Sequence, residues 1–290
     1  MGKKGWSALI AVLVVAVGAG AFGYHQSQRT EPAPPGRYVA LGDSYTSAPG
    51  AGEPVGRPPG CGRSDNNYPR LVRPEVDAAE FADVSCGGAT TEHLSNPQRT
   101  AEGTNPPQLD AVTTDTTLVT LGIGGNDVGF VALGEQCATR DRAASPCRDR
   151  LTSGGTDQLA RAVADTAPKV GAALERIGRQ APDARVVVVG YPTVLPENAS
   201  SCWPEVPYGT GDVAYLRQAI GGLNTMLAEQ ARAHGAGFAG TAGATEGHSM
   251  CAPPRARWIE GPEPVTGAAP LHPTARGQRA MADALLNVVN

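Results

Sequence analysis

Short apolar runs that end in glycine-rich turns are the feature that most constrains the fold of this chain. Continuous runs of this length are typical of strands buried on both faces of a parallel sheet. They predict strands over residues 37–41, 81–85, 117–121, 185–189 and 237–241. Amphipathic patterns between them predict helices over residues 68–79, 158–180, 213–233 and 274–289. This alternation predicts a parallel α/β sandwich with helices on both faces of the sheet.

Three of the predicted strands end in a turn that carries a candidate polar group. Ser44 follows the first run, Gly88 the second and Asn126 the third. Ligands of open parallel sheets bind at the carboxyl ends of the strands, so these turns are the first place to expect a site. Loop insertions are predicted over residues 49–63, 135–155 and 197–212.

The N-terminus has the layout of an export signal. Lys3 and Lys4 precede an apolar stretch over residues 6–24 that becomes rich in small residues towards its end. An uncleaved membrane anchor is the alternative, because the stretch approaches the roughly 20 residues that span a bilayer. Cleavage is slightly favoured, since Gly and Ala dilute the apolar character. We predict a signal peptide or anchor over residues 1–24, a linker over 25–36 and one domain over 37–290, in a secreted or membrane-tethered extracellular protein.

Six cysteines follow the N-terminal segment: Cys61, Cys86, Cys137, Cys147, Cys202 and Cys251. An even number in an exported chain predicts disulfide bonds. The absence of a Cys-x-x-Cys pair argues against a zinc site or a redox pair. Many pairings are open in principle, and pairing in sequence order is the simplest of them.

The charge of the chain excludes one class of partner. Its formal net charge is −4, and no predicted helix carries a face rich in Lys and Arg. Nucleic-acid binding requires a basic face that neutralises phosphates. We therefore expect no nucleic-acid partner.

Ser44 and His272 are the candidate nucleophile and general base. Ser44 lies in a Gly-Asp-Ser turn, and His272 precedes the last predicted helix. A serine hydroxyl becomes a useful nucleophile when a neighbouring base accepts its proton. Each pattern alone is equally typical of a turn or a helix cap. The adjoining acids Asp43 and Asp127 are expected to form hydrogen bonds within turns rather than to transfer protons.

Asn126 and Gly88 are candidate donors to a developing negative charge. An asparagine amide and a backbone N–H group both stabilise an oxyanion. Asn and Gly are also the residues that tight turns favour. Of the remaining histidines, His93 and His248 lie in loops near cysteines and are expected to be surface or structural residues.

Together, Ser44, Gly88, Asn126 and His272 resemble, in identity and order, the four motif residues of the SGNH (GDSL) hydrolase superfamily. The likeness extends from the first predicted strand to the C-terminus. The six-cysteine layout and the Ser-Cys-Gly-Gly-Ala-Thr segment around Cys86 resemble the secreted actinobacterial lipase/esterase branch of that superfamily. The resemblance implies a flavodoxin-like, three-layer α/β/α sandwich with a central parallel sheet of about five strands.

The same resemblance implies the chemistry. Ser44 is then the nucleophile, His272 the base, and the oxyanion hole consists of the Ser44 and Gly88 N–H groups with the Asn126 side chain. The reaction is hydrolysis of lipid or other acyl esters through an acyl-Ser44 intermediate. No metal or organic cofactor is implied, the partner is a small-molecule or lipid ester, and we expect a monomer.

The chain departs from the family pattern at one position. Many members carry Asp three residues before the histidine, where this chain has Ala269, and the nearest upstream acids are Glu260 and Glu263. The actinobacterial branch includes enzymes in which a backbone carbonyl holds the histidine, and the resemblance implies the same arrangement here. A carbonyl orients an imidazole but stabilises its cation less than a carboxylate does. We therefore predict a Ser44–His272 dyad oriented by a carbonyl near Ala269.

Two alternative functions stay open on the same fold. One is a carbohydrate O-acetyl esterase, and the other is a catalytically silent surface binding module. The presence of all four motif residues argues against the silent module. Nucleophile-elbow hydrolases are excluded because no Gly-x-Ser-x-Gly occurs. The acyl chain length and the head group stay open.

Overall fold

The computed structural model of the protein describes residues 36–290. The predicted signal peptide or anchor and residues 25–35 of the predicted linker lie outside the described residues. Gly36–Asn290 forms one structural unit. Within this unit, no helix is both long and apolar enough to cross a membrane.

The strands form one five-stranded sheet and one small hairpin. In chain order they are β1 (Gly36–Gly42), β2 (Ala78–Asp83), β3 (Gln98–Thr100), β4 (Gly103–Asn105), β5 (Thr116–Gly122), β6 (Arg185–Val189) and β7 (Gly237–Ala239). The central sheet has the order β2-β1-β5-β6-β7, and all its neighbouring strands are parallel. β3 and β4 form a separate antiparallel hairpin, which the sequence patterns did not predict.

The α-helices connect these strands. In chain order they are α1 (Ser44–Ser47), α2 (Tyr68–Val72), α3 (Gly125–Val128), α4 (Phe130–Gln136), α5 (Pro146–Thr152), α6 (Gln158–Gln180), α7 (Thr210–Ala233), α8 (Thr241–Ala244) and α9 (Ala275–Val289). The predicted long helices are confirmed, and α7 begins three residues earlier than its apolar pattern. Thr274 caps α9 by accepting a hydrogen bond from the Gly277 N–H group.

Alternating side chains of the sheet fill two hydrophobic layers. Val39 and Leu41 of β1 pack in the cluster that contains the buried faces of α6 and α7. Tyr38 and Ala40, on the opposite face of the same strand, belong to the cluster that contains Met281 of α9. Both faces of β1 are buried because successive side chains of a strand point to opposite sides. The three-layer α/β/α sandwich with a five-stranded parallel sheet is thereby confirmed.

Predicted boundaries are wrong at two places, near Pro74 and at the last strand. The strand predicted over residues 237–241 ends at Ala239, and helix α8 begins at Thr241. The helix predicted over residues 68–79 ends at Val72 and is followed by a single 3-10 turn, because proline within a helix removes a backbone donor. The strand predicted over residues 81–85 begins earlier, at Ala78. β2 is an edge strand with partly exposed side chains, so it lacks the continuous apolar run that marks a central strand. Helix α5 also lies within the loop predicted over residues 135–155.

Disulfide bonds join the cysteines in sequence order, as the simplest pairing predicts. The bonds are Cys61–Cys86, Cys137–Cys147 and Cys202–Cys251, and the described residues contain no free cysteine. The first bond connects the segment after α1 to the turn after β2, which carries Gly88. It therefore fixes a candidate site residue to the neighbouring loop.

Reduction is expected to destabilise the domain by about 2–4 kcal/mol per bond, because each bond restricts the unfolded chain. Urea unfolding with and without a thiol reductant measures this loss. The Cys202–Cys251 bond closes 49 residues and Cys137–Cys147 closes 10. A longer closed loop restricts the unfolded chain more. Replacing both cysteines of Cys202–Cys251 by Ala should therefore lower the free energy of unfolding more than the same change at Cys137–Cys147. Equal unfolding midpoints in the two redox conditions would contradict this expectation.

Candidate active site

Ser44 lies at the carboxyl edge of the sheet, at the first residue of α1. The chain turns sharply after β1 at Gly42, where an added Cβ would lie 2.1 Å from Thr46 Oγ1 and 2.6 Å from the Gly122 carbonyl oxygen. Asp43 then caps α1 by accepting a hydrogen bond from the Tyr45 N–H group. This tight strand-to-helix turn presents the Ser44 side chain beyond the end of the strand. The serine is 6% exposed.

His272 contacts Ser44, although it lies near the C-terminal end of the chain. It precedes α9, and its Nε2 atom lies 2.7 Å from Ser44 Oγ across a sequence separation of 228 residues. The histidine is also 6% exposed, so water has little access to this contact. A hydroxyl within hydrogen-bond distance of an imidazole nitrogen is the geometry in which the ring can accept the serine proton.

A backbone carbonyl occupies the place that an acid holds in a triad. His272 Nδ1 lies 2.6 Å from the carbonyl oxygen of Pro270, the residue next to Ala269. Nδ1–H donates to this carbonyl, which leaves Nε2 free to accept the Ser44 O–H. The buried carboxylate of Glu260 instead accepts hydrogen bonds from the N–H groups of residues 265 and 266.

Burial and hydrogen bonding act in opposite directions on His272. Burial lowers the pKa of His272 below its ordinary value of 6.5, and the hydrogen bond to the Pro270 carbonyl partly offsets this effect. A lowered pKa keeps the imidazole neutral, and therefore able to accept a proton, at neutral pH. The pKa of the adjacent Asp43 is raised to about 7, chiefly by burial.

We expect the acid limb of the kcat/KM profile to lie below pH 6.5, the ordinary pKa of histidine. Activity then falls as His272 becomes protonated and ceases to act as a base. Rates measured by pH-stat on a soluble ester give the profile. The Asp43→Asn variant tests whether titration of Asp43 causes the acid limb instead. A limb caused by His272 persists after that substitution. A limb near pH 7 that disappears in Asp43→Asn would contradict the assignment.

Asn126 lies on α3, at the end of β5, and lines the same cavity as Ser44. Its Nδ2 atom donates a hydrogen bond to the Ala89 carbonyl at 2.9 Å. An amide nitrogen carries two protons, so one of them stays available to a ligand. The bond to Ala89 also orients the amide with its nitrogen towards the turn after β2.

Gly88 lies in that turn with a φ of +75°, a backbone conformation that residues with a Cβ rarely adopt. No acceptor for its N–H group occurs among residues 36–290. The turn is held beside β1 because the Cys86 N–H group donates to the Gly42 carbonyl at 3.0 Å. The backbone thus offers a free donor next to the Ser44 turn.

These sequence-predicted residues lie in a region that matches a known family of proteins. The profile of the GDSL-like Lipase/Acylhydrolase family matches residues 40–280. The chain belongs to this family. Lipase 2 of Streptomyces coelicolor is 37% identical over 258 residues, which cover 87% of this chain and 85% of that protein. The expected resemblance to the lipase/esterase branch of the SGNH (GDSL) superfamily is therefore confirmed.

Solved structures agree with this membership. The structure of phospholipase A1 from Streptomyces albidoflavus has a TM-score of 0.71 at 28% identity, covering 87% of this chain and 99% of that chain. The extracellular lipase from Streptomyces rimosus has a TM-score of 0.68 at 28% identity, with the same coverage. As a member of the GDSL-like family, the protein is a serine ester hydrolase.

Two aspartates connect the turns of this GDSL-like hydrolase. Asp43 accepts a 2.5 Å hydrogen bond from the Tyr191 hydroxyl, which itself accepts from the Gly125 N–H group at 2.7 Å. Asp127 accepts from both the N–H group and the hydroxyl of Thr91. The first set joins the serine turn to the Asn126 turn, and the second joins the Asn126 turn to the segment after Gly88. Both aspartates therefore have the turn-stabilising contacts expected of them.

Sequence reasoning missed several residues that build the site. The buried Gln108 side chain pairs with both backbone groups of Gly42. Tyr191 follows β6 and Tyr45 follows the nucleophile, so their positions after strand ends were an available signal.

His93 caps a short 3-10 helix, and His248 stacks on a tryptophan ring at 3.7 Å, which gives both the structural roles expected.

An apolar groove continues from the cavity at Ser44. The residues common to the Ser44 cavity and its neighbour are Tyr45, Phe130, Val131, Val194 and Ile220. The neighbouring cavity is completed by Gly134, Leu195, Tyr208, Leu216, Met250 and Leu271. We call these two sets the apolar groove. No charged side chain lines the neighbouring cavity in the described part of the chain, so its walls suit a hydrocarbon chain.

Proposed function

We propose that the protein hydrolyses lipid esters through an acyl-Ser44 intermediate. Ser44 Oγ attacks the ester carbonyl carbon while His272 Nε2 accepts the hydroxyl proton. The tetrahedral intermediate collapses, its bond to the leaving alcohol breaks, and His272 returns the proton to that alcohol. A water molecule then attacks the acyl-enzyme while His272 accepts its proton. The bond to Ser44 Oγ breaks, His272 returns the proton to the serine, and the acid is released. The 2.7 Å contact between the two side chains supports these roles.

The proposed oxyanion hole combines three donors from three strand-end turns. They are the Ser44 N–H group, the Gly88 N–H group and the second Nδ2 proton of Asn126. The Ser44 N–H group belongs to the first residue of a helix and therefore has no partner within it. Preorganised donors of this kind stabilise the tetrahedral intermediate without reorganising water. The hydrogen bonds of Asp43 and Asp127 support this preorganisation.

The apolar groove is the observation that carries the choice of a lipid substrate. Each methylene group that leaves water for an apolar wall contributes about 0.8 kcal/mol, so a groove of apolar side chains favours long acyl chains. An acetyl group needs no such groove, which disfavours the O-acetyl esterase. Relatives named lipase and phospholipase A1 support the same choice. A silent binding module would not need the Ser44–His272 contact.

A panel of p-nitrophenyl esters from acetyl to palmitoyl, with a phospholipid and acetylated xylan, tests this proposal. We expect kcat/KM to rise with acyl length and the xylan to be a poor substrate. Val131 is 37% exposed at the groove, so Val131→Asn places a polar amide there without disturbing the core. Desolvating that amide should lower kcat/KM for octanoyl and longer esters by about 3–10-fold and leave the acetyl ester unchanged.

Val265 provides the matched control for this panel. It is the other large exposed apolar residue of the described chain, at 59% exposure, and it lies outside the groove. Val265→Asn should leave the whole acyl-length profile unchanged. A wild-type preference for acetylated xylan, or equal effects of the two Asn variants, would argue against the lipid substrate.

We also propose that the enzyme is exported. The basic and apolar N-terminal pattern, the three disulfide bonds and the extracellular lipase among its relatives support export. Disulfide bonds of this number persist in oxidising compartments. N-terminal sequencing of the protein recovered from culture medium tests export and cleavage together. Recovery only from the membrane fraction, with the N-terminus intact, would favour the anchor.

A further inference from the structure

Leu271 has a backbone conformation that a leucine rarely adopts. Its φ is +66°, in the left-handed region that favours glycine. Leu271 lies between Pro270, whose carbonyl accepts the His272 Nδ1–H bond, and His272 itself. The torsions of Leu271 therefore set the direction of that carbonyl relative to the imidazole ring. A conformation of this kind persists only where its surroundings hold it.

The hydroxyl of Tyr45 supplies such a restraint. It donates a 2.7 Å hydrogen bond to the Leu271 carbonyl oxygen. No other group within residues 36–290 donates to that oxygen. The peptide groups on both sides of Leu271 are thus hydrogen-bonded. The Pro270 carbonyl accepts from the His272 ring, and the Leu271 carbonyl accepts from Tyr45. Burial raises the pKa of Tyr45, so its phenol stays protonated and continues to donate.

Tyr45 is itself firmly positioned beside the nucleophile. Its N–H group donates to Asp43 Oδ1 and its carbonyl accepts from Gln278 Nε2, both at 2.9 Å. Its ring lies 5.1 Å from the His272 ring and 5.2 Å from the Tyr191 ring, measured between centroids. Because Tyr45 directly follows Ser44, a single residue connects the nucleophile turn to the histidine loop.

We propose that Tyr45 is a positioning residue for the general base, which holds the left-handed Leu271 so that the Pro270 carbonyl stays at His272 Nδ1. This inference rests on the proposed Ser44–His272 dyad. A triad carboxylate attracts the imidazolium by its charge. A neutral carbonyl lacks that attraction, so its geometry has to be held by the backbone. The Tyr45 hydrogen bond is a restraint that the fold supplies for this purpose.

Tyr45→Phe removes the hydroxyl and keeps the ring. With p-nitrophenyl acetate, which is too short to fill the groove, we expect kcat to fall about 10–100-fold with KM within about two-fold. We also expect the acid limb of the pH profile to move to lower pH. The bond from Nδ1–H to Pro270 raises the pKa of His272, so misplacing the carbonyl lowers that pKa. Loss of packing alone would not move this limb.

Two further variants separate positioning from general stability. Tyr38→Phe also removes a buried phenol hydrogen bond, to Thr120, but at a place within the sheet. Its kcat should equal that of the wild type. Leu271→Gly relieves the left-handed strain, because glycine adopts positive φ freely. Added to Tyr45→Phe, it should recover part of the lost kcat on the acetyl ester.

Labelling of Ser44 by a fluorophosphonate checks the underlying dyad separately. If Ser44→Ala is still labelled, the proposed function fails whatever Tyr45→Phe does. If Ser44 is the labelled residue and Tyr45→Phe keeps the wild-type kcat, the positioning role fails alone. It also fails if kcat falls without a shift of the acid limb and without recovery by Leu271→Gly.

Discussion

Ser44→Ala is expected to abolish labelling by a fluorophosphonate and to lower kcat by about 10⁴–10⁶-fold. The serine hydroxyl is the only atom that the proposed mechanism acylates, and no other side chain substitutes for it. His272→Ala should cause a loss of similar size, because a serine whose proton has no acceptor at 2.7 Å is a poor nucleophile. The double variant should be no worse than either single one, since the two residues act as a unit.

Ser47→Ala is the matched control for this experiment. Ser47 lies on the same short helix and is fully buried, but its hydroxyl has no hydrogen-bond partner among the described residues. The substitution therefore tests whether loss of any hydroxyl in α1 disturbs the turn. We expect wild-type labelling and kcat. Labelling that survives in Ser44→Ala, or losses that simply multiply in the double variant, would show that the dyad assignment is wrong.

Asn126→Ala is expected to lower kcat by about 10²–10³-fold with little change in KM. Removing the amide removes one donor to the tetrahedral intermediate, whereas the ground-state ester depends less on that donor. Steady-state kinetics on the acetyl ester separates the two parameters. The same substitution also breaks the hydrogen bond to the Ala89 carbonyl. A control is therefore needed for loosening of the turn after β2.

Thr91→Val supplies that control. It removes the Thr91 hydroxyl that donates to Asp127, and so loosens the same pair of turns while every oxyanion donor stays in place. We expect a loss of kcat of only a few-fold, the size that a lost hydrogen bond between turns produces. A loss at Thr91→Val equal to that of Asn126→Ala would mean that Asn126 acts through the turn. An effect of Asn126→Ala confined to KM would mean that it positions substrate.

The central sheet was predictable because strands buried on both faces appear in the sequence as continuous apolar runs. The run of valines in β6 is buried at its carboxyl end, and its apolar continuity identifies a central strand without further information. β2 was misplaced for the complementary reason. Its outer position leaves Glu80 and other side chains exposed, so local sequence carries little signal for its boundaries. The hairpin of β3 and β4 consists of three-residue strands, which are too short for any periodic pattern.

The site was predictable as far as each residue belongs to a strand end. Ser44, Gly88 and Asn126 follow three parallel strands, whose carboxyl ends lie on one edge of the sheet. His272 shows no local feature that distinguishes it from a surface histidine before a helix. Its assignment came from the resemblance to a family, and the 228 residues between it and Ser44 are bridged only in the folded chain.

The sequence by itself determined the α/β class, the polar turns at the strand ends, the even number of cysteines and the missing acid at Ala269. These features depend on local periodicity, backbone preference or residue identity, all of which can be read along the chain. The tertiary structure decided that the Pro270 carbonyl orients His272, that Tyr45 contacts the Leu271 carbonyl and that apolar side chains form a groove beside Ser44. Each of these depends on distances between segments far apart in sequence, which only the packing of the sheet and helices sets.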